Sequence, residues 1–166
     1  MSLHYLLDGY NIIHQIPALT LSKLEDQRRG LIRLIEHFQP QGSWRNKVTI
    51  VFDGRSEIYG RDDAKSVRVI FSREESADDK IKGMVQESDQ RKNIVVVTND
   101  REIKYAVGAL GAQVWSVEDF LGKIKSSPSY RTPSSRTQTP VKNISKTVEF
   151  EINAELKEIW LKKNKP

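Results

Sequence analysis

The sequence predicts an α/β domain of three layers, a mostly parallel sheet covered by helices on both faces. Short apolar runs rich in β-branched residues recur through the first 122 residues, stretches of helical period separate them, and three of the runs lead into an aspartate. Continuous apolar runs, as opposed to strict alternation, suit strands buried on both faces of a parallel sheet. Strands alternating with helices indicate βαβ units. At 166 residues the chain is long enough for one well-buried core and short for two.

Taken in order, the first strand is Tyr5-Leu6-Leu7. Leu21, Leu24, Arg28, Leu31, Leu34, Ile35 and Phe38 then recur at helical spacing. Val48 to Phe52 and Val67 to Phe71 are the second and third strands, with a loop expected from Gly54 to Ser66. Ser76-Ala77-Asp78-Asp79 is a helix start, the Ser76 side chain meeting the Asp79 amide and the Asp79 carboxylate reaching back, and Ile81, Met84 and Val85 form its apolar face. Ile94 to Val97 is the fourth strand, Asn99-Asp100-Arg101-Glu102 offers a second helix start, and Ile103, Val107 and Leu110 follow it. Gly108 and Gly111 frame the turn into a weaker fifth strand, Gln113-Val114-Trp115. Residues 123–143 form a basic linker rich in Ser, Thr and Pro with no periodic apolar face. Residues 144–166 form an amphipathic helix through Ile144, Val148, Ile152, Leu156 and Trp160, which docks on the domain or on a partner.

Composition narrows the function. There is no cysteine, which excludes a disulfide scaffold, a thiol nucleophile and a thiolate metal site. The first residues lack a basic, signal-like region, and no run approaches the roughly 20 apolar residues of a membrane span, so a cytoplasmic location is expected. The net charge of +5 is uneven: residues 1–122 hold 17 Lys and Arg against 18 Asp and Glu, and residues 123–166 hold 10 against 4. Between Lys123 and Lys146 six basic residues occur with no acid. That segment is either a solubilising tail or a contact for a polyanion such as nucleic acid.

The acids carry the chemistry. Leu6-Leu7 leads into Asp8, Val51-Phe52 into Asp53 and Val96-Val97-Thr98-Asn99 into Asp100, while Asp78-Asp79 opens the helix after the third strand. In a parallel sheet the carboxyl ends of strands share one edge, where ligands bind. Converging carboxylates raise one another's pKa, and a hard divalent cation, Mg2+ or Mn2+, relieves the repulsion. The three histidines have no zinc-like spacing. A cation so held acidifies water and offsets charge on a phosphoryl group under attack. Each acid also has a local alternative: Asp8 and Asp53 precede glycines that suit turns, Asp79 fits a capping position, and Asp100 suits a helix N-terminus. Asp78 has no such duty. Asn11 either supports Asp8 or a phosphate oxygen, or caps the turn; Thr98 and Asn99 either orient a water or cap a helix. Tyr10 and Tyr59 stack on bases or pack, and Arg55, Arg61, Lys65, Arg73 and Arg101 are candidates to steer a phosphate backbone.

Four segments in this order, Leu7-Asp8-Gly9-Tyr10-Asn11-Ile12-Ile13, Val51-Phe52-Asp53-Gly54, Ser76-Ala77-Asp78-Asp79-Lys80-Ile81 and Val97-Thr98-Asn99-Asp100-Arg101-Glu102, resemble the NYN domain, the YacP-like branch of the PIN-like nuclease superfamily. The resemblance covers residues 3–122. It implies a Rossmann-like sheet of order 3-2-1-4-5 and a metal-dependent endoribonuclease of mRNA decay or RNA maturation. RNA, single-stranded or messenger, would be the substrate and the ribosome a candidate partner. It also implies that Asp8, Asp78 and Asp100 are the metal ligands, Asp53 and Asp79 secondary acids, and Asn11 and Asn99 polar support. The competing expectation is a non-catalytic RNA- or ribosome-binding module on the same fold. A phosphatase is a third, and the missing second aspartate two residues after Asp8 argues against the haloacid-dehalogenase type.

Overall fold

The structure, a computed structural model, describes residues 1–55 and 67–126. Of the linker expected at 123–143 and the helix expected at 144–166, residues 127–166 lie outside the described residues, as do Tyr59, Arg61 and Lys65. The elements are β1 (His4–Asp8), α1 (Gly9–His14), α2 (Pro17–Thr20), α3 (Leu24–Phe38), β2 (Lys47–Phe52), β3 (Val67–Phe71), α4 (Ala77–Gln86), a 3-10 turn (Arg91–Asn93), β4 (Ile94–Val97), α5 (Arg101–Ala109), β5 (Gln113–Trp115) and α6 (Val117–Ser126).

The five strands form one sheet of order β3-β2-β1-β4-β5, and every pairing in it is parallel. This is the 3-2-1-4-5 order the resemblance implies. The chain passes from β1 through α3 to β2 on one side of β1 and, after β3, through α4 to β4 and α5 to β5 on the other. β1 lies at the point where the winding reverses, so its carboxyl end opens into the crevice that such sheets use for ligands.

The period-two alternation of β1 divides the core. Tyr5 and Leu7 point into a cluster with Ile12, Ile13, Leu31, Ile35, Phe38, Ile50, Phe52, Val95, Val97, Phe120 and Ile124. Leu6 points to the opposite face, into a cluster with Val51, Ile81, Val85, Val96, Ile103 and Val107. Thus α1, α3 and α6 cover one face of the sheet and α4 and α5 the other. By the same alternation Asp8, two residues after Leu6, faces α4 and α5.

Two local details differ from the sequence reading. Helix α3 starts at Leu24, so Leu21 lies before it and is exposed. Helix α6 has no counterpart in that reading, although Val117, Phe120, Leu121 and Ile124 are all buried at helical spacing. It runs through residue 122, where the sequence reading places a boundary.

Gly9 shows how tightly the β1 exit is packed. A Cβ there would lie 2.5 Å from Phe52 Cδ1 and 3.0 Å from the Val51 carbonyl oxygen, so only glycine lets α1 begin directly against β2. Gly54, just after Asp53, takes φ +92, which a side chain would resist.

Candidate metal centre at the carboxyl edge of the sheet

Asp8 ends β1 and caps α1. Its Oδ1 accepts from the Asn11 amide at 3.3 Å and its Oδ2 from the Thr98 hydroxyl at 3.1 Å, in a position only 8% exposed. Thr98 follows β4, and its Oγ1 in turn accepts from the Asp100 amide at 3.1 Å. Asp100 caps α5, its Oδ1 accepting from the Glu102 and Ile103 amides at 2.7 and 3.1 Å. The two acids at the β1 and β4 exits therefore share one threonine. Each cap occupies one oxygen of its carboxylate; Asp100 Oδ1 accepts two hydrogen bonds, whereas each Asp8 oxygen accepts one and keeps a second lone pair.

Asp78 opens α4 and is partly buried, with no hydrogen bond to its carboxylate among the described residues. Burial raises its pKa, and the Asp100, Glu102 and Asp79 carboxylates add to the rise while Lys82 opposes it. Burial likewise raises the Asp8 carboxyl. The Asn11 amide and Thr98 hydroxyl work against that rise, and the Asp78 and Asp100 charges reinforce it. Asp78 and Asp100 thus lie within electrostatic reach of Asp8, and Asp100 within reach of Asp78.

Asp53 and Asp79 stand further out. Asp53 is exposed, one residue past β2, and its Oδ1 accepts from the Ser72 hydroxyl at 3.0 Å. Asp79 is exposed too. The Ser76 hydroxyl accepts from the Asp79 amide at 3.0 Å and donates to Asp79 Oδ2 at 2.9 Å, so the carboxylate returns to the hydroxyl and not to the Ser76 amide. Asn11 Oδ1 accepts from the Asn99 amide at 2.8 Å, tying the β1 and β4 exits together. Asn99 caps α6, with its Oδ1 accepting from the Val117 amide at 3.0 Å and its Nδ2 donating to Glu118 at 2.9 Å. The cap of α5 is Asp100.

Sequence reasoning does not single out Lys82, Glu102 or Arg28 for roles of their own. Lys82 pairs with Glu102 at 2.8 Å, joining α4 to α5 beside Asp78. Its position four residues after Asp78, one helical turn on, is the available signal. Arg28, a basic residue inside an apolar stripe, is buried. Its guanidinium lies 5.5, 5.6 and 5.0 Å from the ring centres of Tyr10, Phe52 and Phe71, and its Nε donates to the Tyr10 hydroxyl at 2.8 Å. Tyr10 is thereby engaged in packing.

The donor set is all carboxylate, which suits a hard cation such as Mg2+ or Mn2+. Among the described residues no three acidic or histidine side chains already stand in coordinating geometry. Asp78 is the member of the three whose carboxylate makes no hydrogen bond among the described residues.

A parallel sheet wound in this order, with acids gathered at its carboxyl edge, defines a PIN-like α/β domain, a nuclease-type fold. The chain belongs to the YacP-like NYN domain family, whose model matches residues 5–162. Among solved structures it is similar to Rae1 (YacP) from Bacillus subtilis, with 25% identity over 98% of this chain and 84% of that one and a TM-score of 0.63. A point-substituted form of the same protein matches with 29% identity over 76% of each chain and a TM-score of 0.60. No curated protein matches the chain. No helix among the described residues is long and apolar enough to cross a membrane.

Proposed function

We propose that this chain is a divalent-metal-dependent endoribonuclease that hydrolyses RNA phosphodiester bonds in mRNA decay or RNA maturation, in the cytoplasm and with the ribosome as a candidate partner. The observation that carries this reading is the meeting of Asp8 and Asp100 on Thr98 at one sheet edge, with Asp78 opening a helix on the same side. Family membership supports the nuclease character.

In this reading Asp8, Asp78 and Asp100 hold the cation. Bound there, Mg2+ or Mn2+ supplies positive charge that offsets the phosphate and lowers the pKa of water. Asn11 and Thr98 hold the Asp8 carboxylate in one orientation, so little is reorganised when substrate arrives. Asn99 fixes the β4 exit against β1 through Asn11. Asp53 and Asp79 lie at the rim as secondary acids. Water adds to phosphorus and the bond to the 3′ oxygen breaks, leaving a 5′-phosphate and a 3′-hydroxyl.

A non-catalytic RNA- or ribosome-binding module is favoured by one observation, the lack among the described residues of three donors already in place for a metal. Cleavage of a labelled single-stranded RNA separates the two readings. The nuclease requires Mn2+ or Mg2+, is stopped by EDTA, and loses at least about a hundredfold in rate in Asp8→Asn while RNA binding stays within about twofold, the effect expected on losing a charge used in the transition state. Unchanged cleavage in Asp8→Asn overturns this mechanism.

A further inference from the structure

A second concentration of nucleic-acid chemistry lies at the amino ends of β1, β2 and β3, opposite the acidic edge. A pocket of about 570 Å3 opens there, lined by His4, Gln41, Trp44, Lys47, Thr49 and Arg68 among others, with no Asp or Glu among the described residues of its lining. Trp44 is 84% exposed, with the Arg45 guanidinium 5.3 Å from its ring centre. Gln41 is only 5% exposed, and its Oε1 is buried without a hydrogen-bond partner among the described residues. A buried amide acceptor with no donor is costly to leave unmatched. Burial, with the charges of Lys47 and Arg68, holds the His4 pKa below its ordinary value, and the neutral ring hydrogen-bonds Thr49 Oγ1 at 2.9 Å. The excess positive charge of the pocket therefore comes from Lys47 and Arg68.

An open aromatic face, an acceptor lacking a donor and two cations match the three parts of a nucleotide: ring, N–H edge and phosphate. Arg68 also lines a groove of about 1110 Å3 along β3, together with Arg55, Phe71, Arg73 and Lys80. β3 is the last strand on that side of the sheet among the described residues, and this groove follows it. Arg55 pairs with Glu74 and Lys80 with Glu75, whereas Arg68 and Arg73 have no acidic partner among the described residues. The five residues of β3 rise about 3.3 Å each, so the groove spans a few nucleotides of extended RNA between the two ends of the sheet.

We propose that single-stranded RNA runs from the acidic edge along the outer side of β3, past Arg73 and Arg68. A base a few nucleotides from the scissile phosphate then stacks on Trp44, presents an N–H to Gln41, and has its phosphate held by Lys47 and Arg68. This rests on the reading of RNA as substrate.

The test uses the full chain carrying Asp8→Asn, so that cleavage does not consume the probe, and fluorescence anisotropy with labelled single-stranded RNAs of about 4 and about 16 nucleotides. Adding Trp44→Ala weakens binding of the longer RNA at least about fivefold, the loss of one base stack, and leaves the shorter within about twofold. Trp44→Phe recovers most of the loss. Replacing Lys47 and Arg68 by Gln lowers the salt slope for the longer RNA by about 0.7 for each phosphate left unneutralised. Equal losses at both lengths, no loss at either, or no RNA binding by the Asp8→Asn chain each overturn the proposal. Because the readout is binding, absence of metal-dependent cleavage by the unaltered chain sinks the nuclease reading without altering this result.

Discussion

Burial does more than any neighbouring charge to raise the Asp8 carboxyl, and the same holds for Asp78. For an acid whose pKa is higher in the folded state, folding disfavours the ionised form. The penalty is absent below the ordinary value of 3.8, grows as pH rises through the raised range, and is complete above it. Without divalent cations, Asp8→Asn is therefore expected to melt above the parent at pH 7, since asparagine also caps a helix well. That margin closes as the pH falls toward the ordinary carboxylate value, which calorimetry across pH will show. If Asp8 helps hold the cation as proposed, Mg2+ or Mn2+ is expected to raise the parent's midpoint by mass action and to leave the variant's unmoved. Gly9→Ala is expected to cost about 1–3 kcal/mol in denaturant unfolding, because the added methyl meets Phe52 and the Val51 backbone. At this scale the sequence shows which acids end strands, because that is a matter of position. It does not show that Asn99 caps α6, because the amide it serves, Val117, belongs to an element the sequence reading lacks.

The strands from Val67, Ile94 and Gln113 begin and end where the apolar runs do, and β1 and β2 are each extended slightly by residues that continue the pairing. Buried parallel strands declare themselves because both faces demand apolar side chains. Helix α1 is illegible for the opposite reason: it is six residues long, too short for a period to register. Helix α6 is legible. Ser116 and Asp119 repeat the arrangement of Ser76 and Asp79, with the Asp119 amide donating to Ser116 Oγ at 3.0 Å and that hydroxyl donating to Asp119 Oδ2 at 2.7 Å. The change to Ser, Thr and Pro from Ser126 onward obscures it. Because Asn99 reaches α6 from the β4 exit, Asn99→Ala is expected to weaken α6 selectively. Hydrogen exchange in the first turns of α6 should quicken by an amount equivalent to about 0.5–2 kcal/mol, with α5, capped by Asp100, little changed.

Over the whole molecule, β1 supplies one face of its alternation to each of the two cores. The fold class is legible from the alternation of strands and helices, whereas the order 3-2-1-4-5 comes from the resemblance, because local pattern does not say on which side of β1 a later strand pairs. Charge is a property of the same scale. The first 122 residues are close to neutral and the remainder strongly basic. If the six basic residues between Lys123 and Lys146 bind RNA, replacing them with Gln will weaken binding and flatten its dependence on salt by about 0.7 for each phosphate they would otherwise neutralise. Titrations over a range of KCl concentrations read this directly, and an unchanged slope assigns the segment to solubility alone.

The Asp8 site has a consequence for how such sequences drift. Once cleavage ceases to be useful, mutation at this position is released in the direction that makes the bare polypeptide sturdier. If Asp8 is catalytic as proposed, a lineage that abandons catalysis is expected to lose the acid at position 8 early while keeping Gly9, whose loss harms folding whatever the protein does. Glycine retained beside a missing acid would mark a retired enzyme.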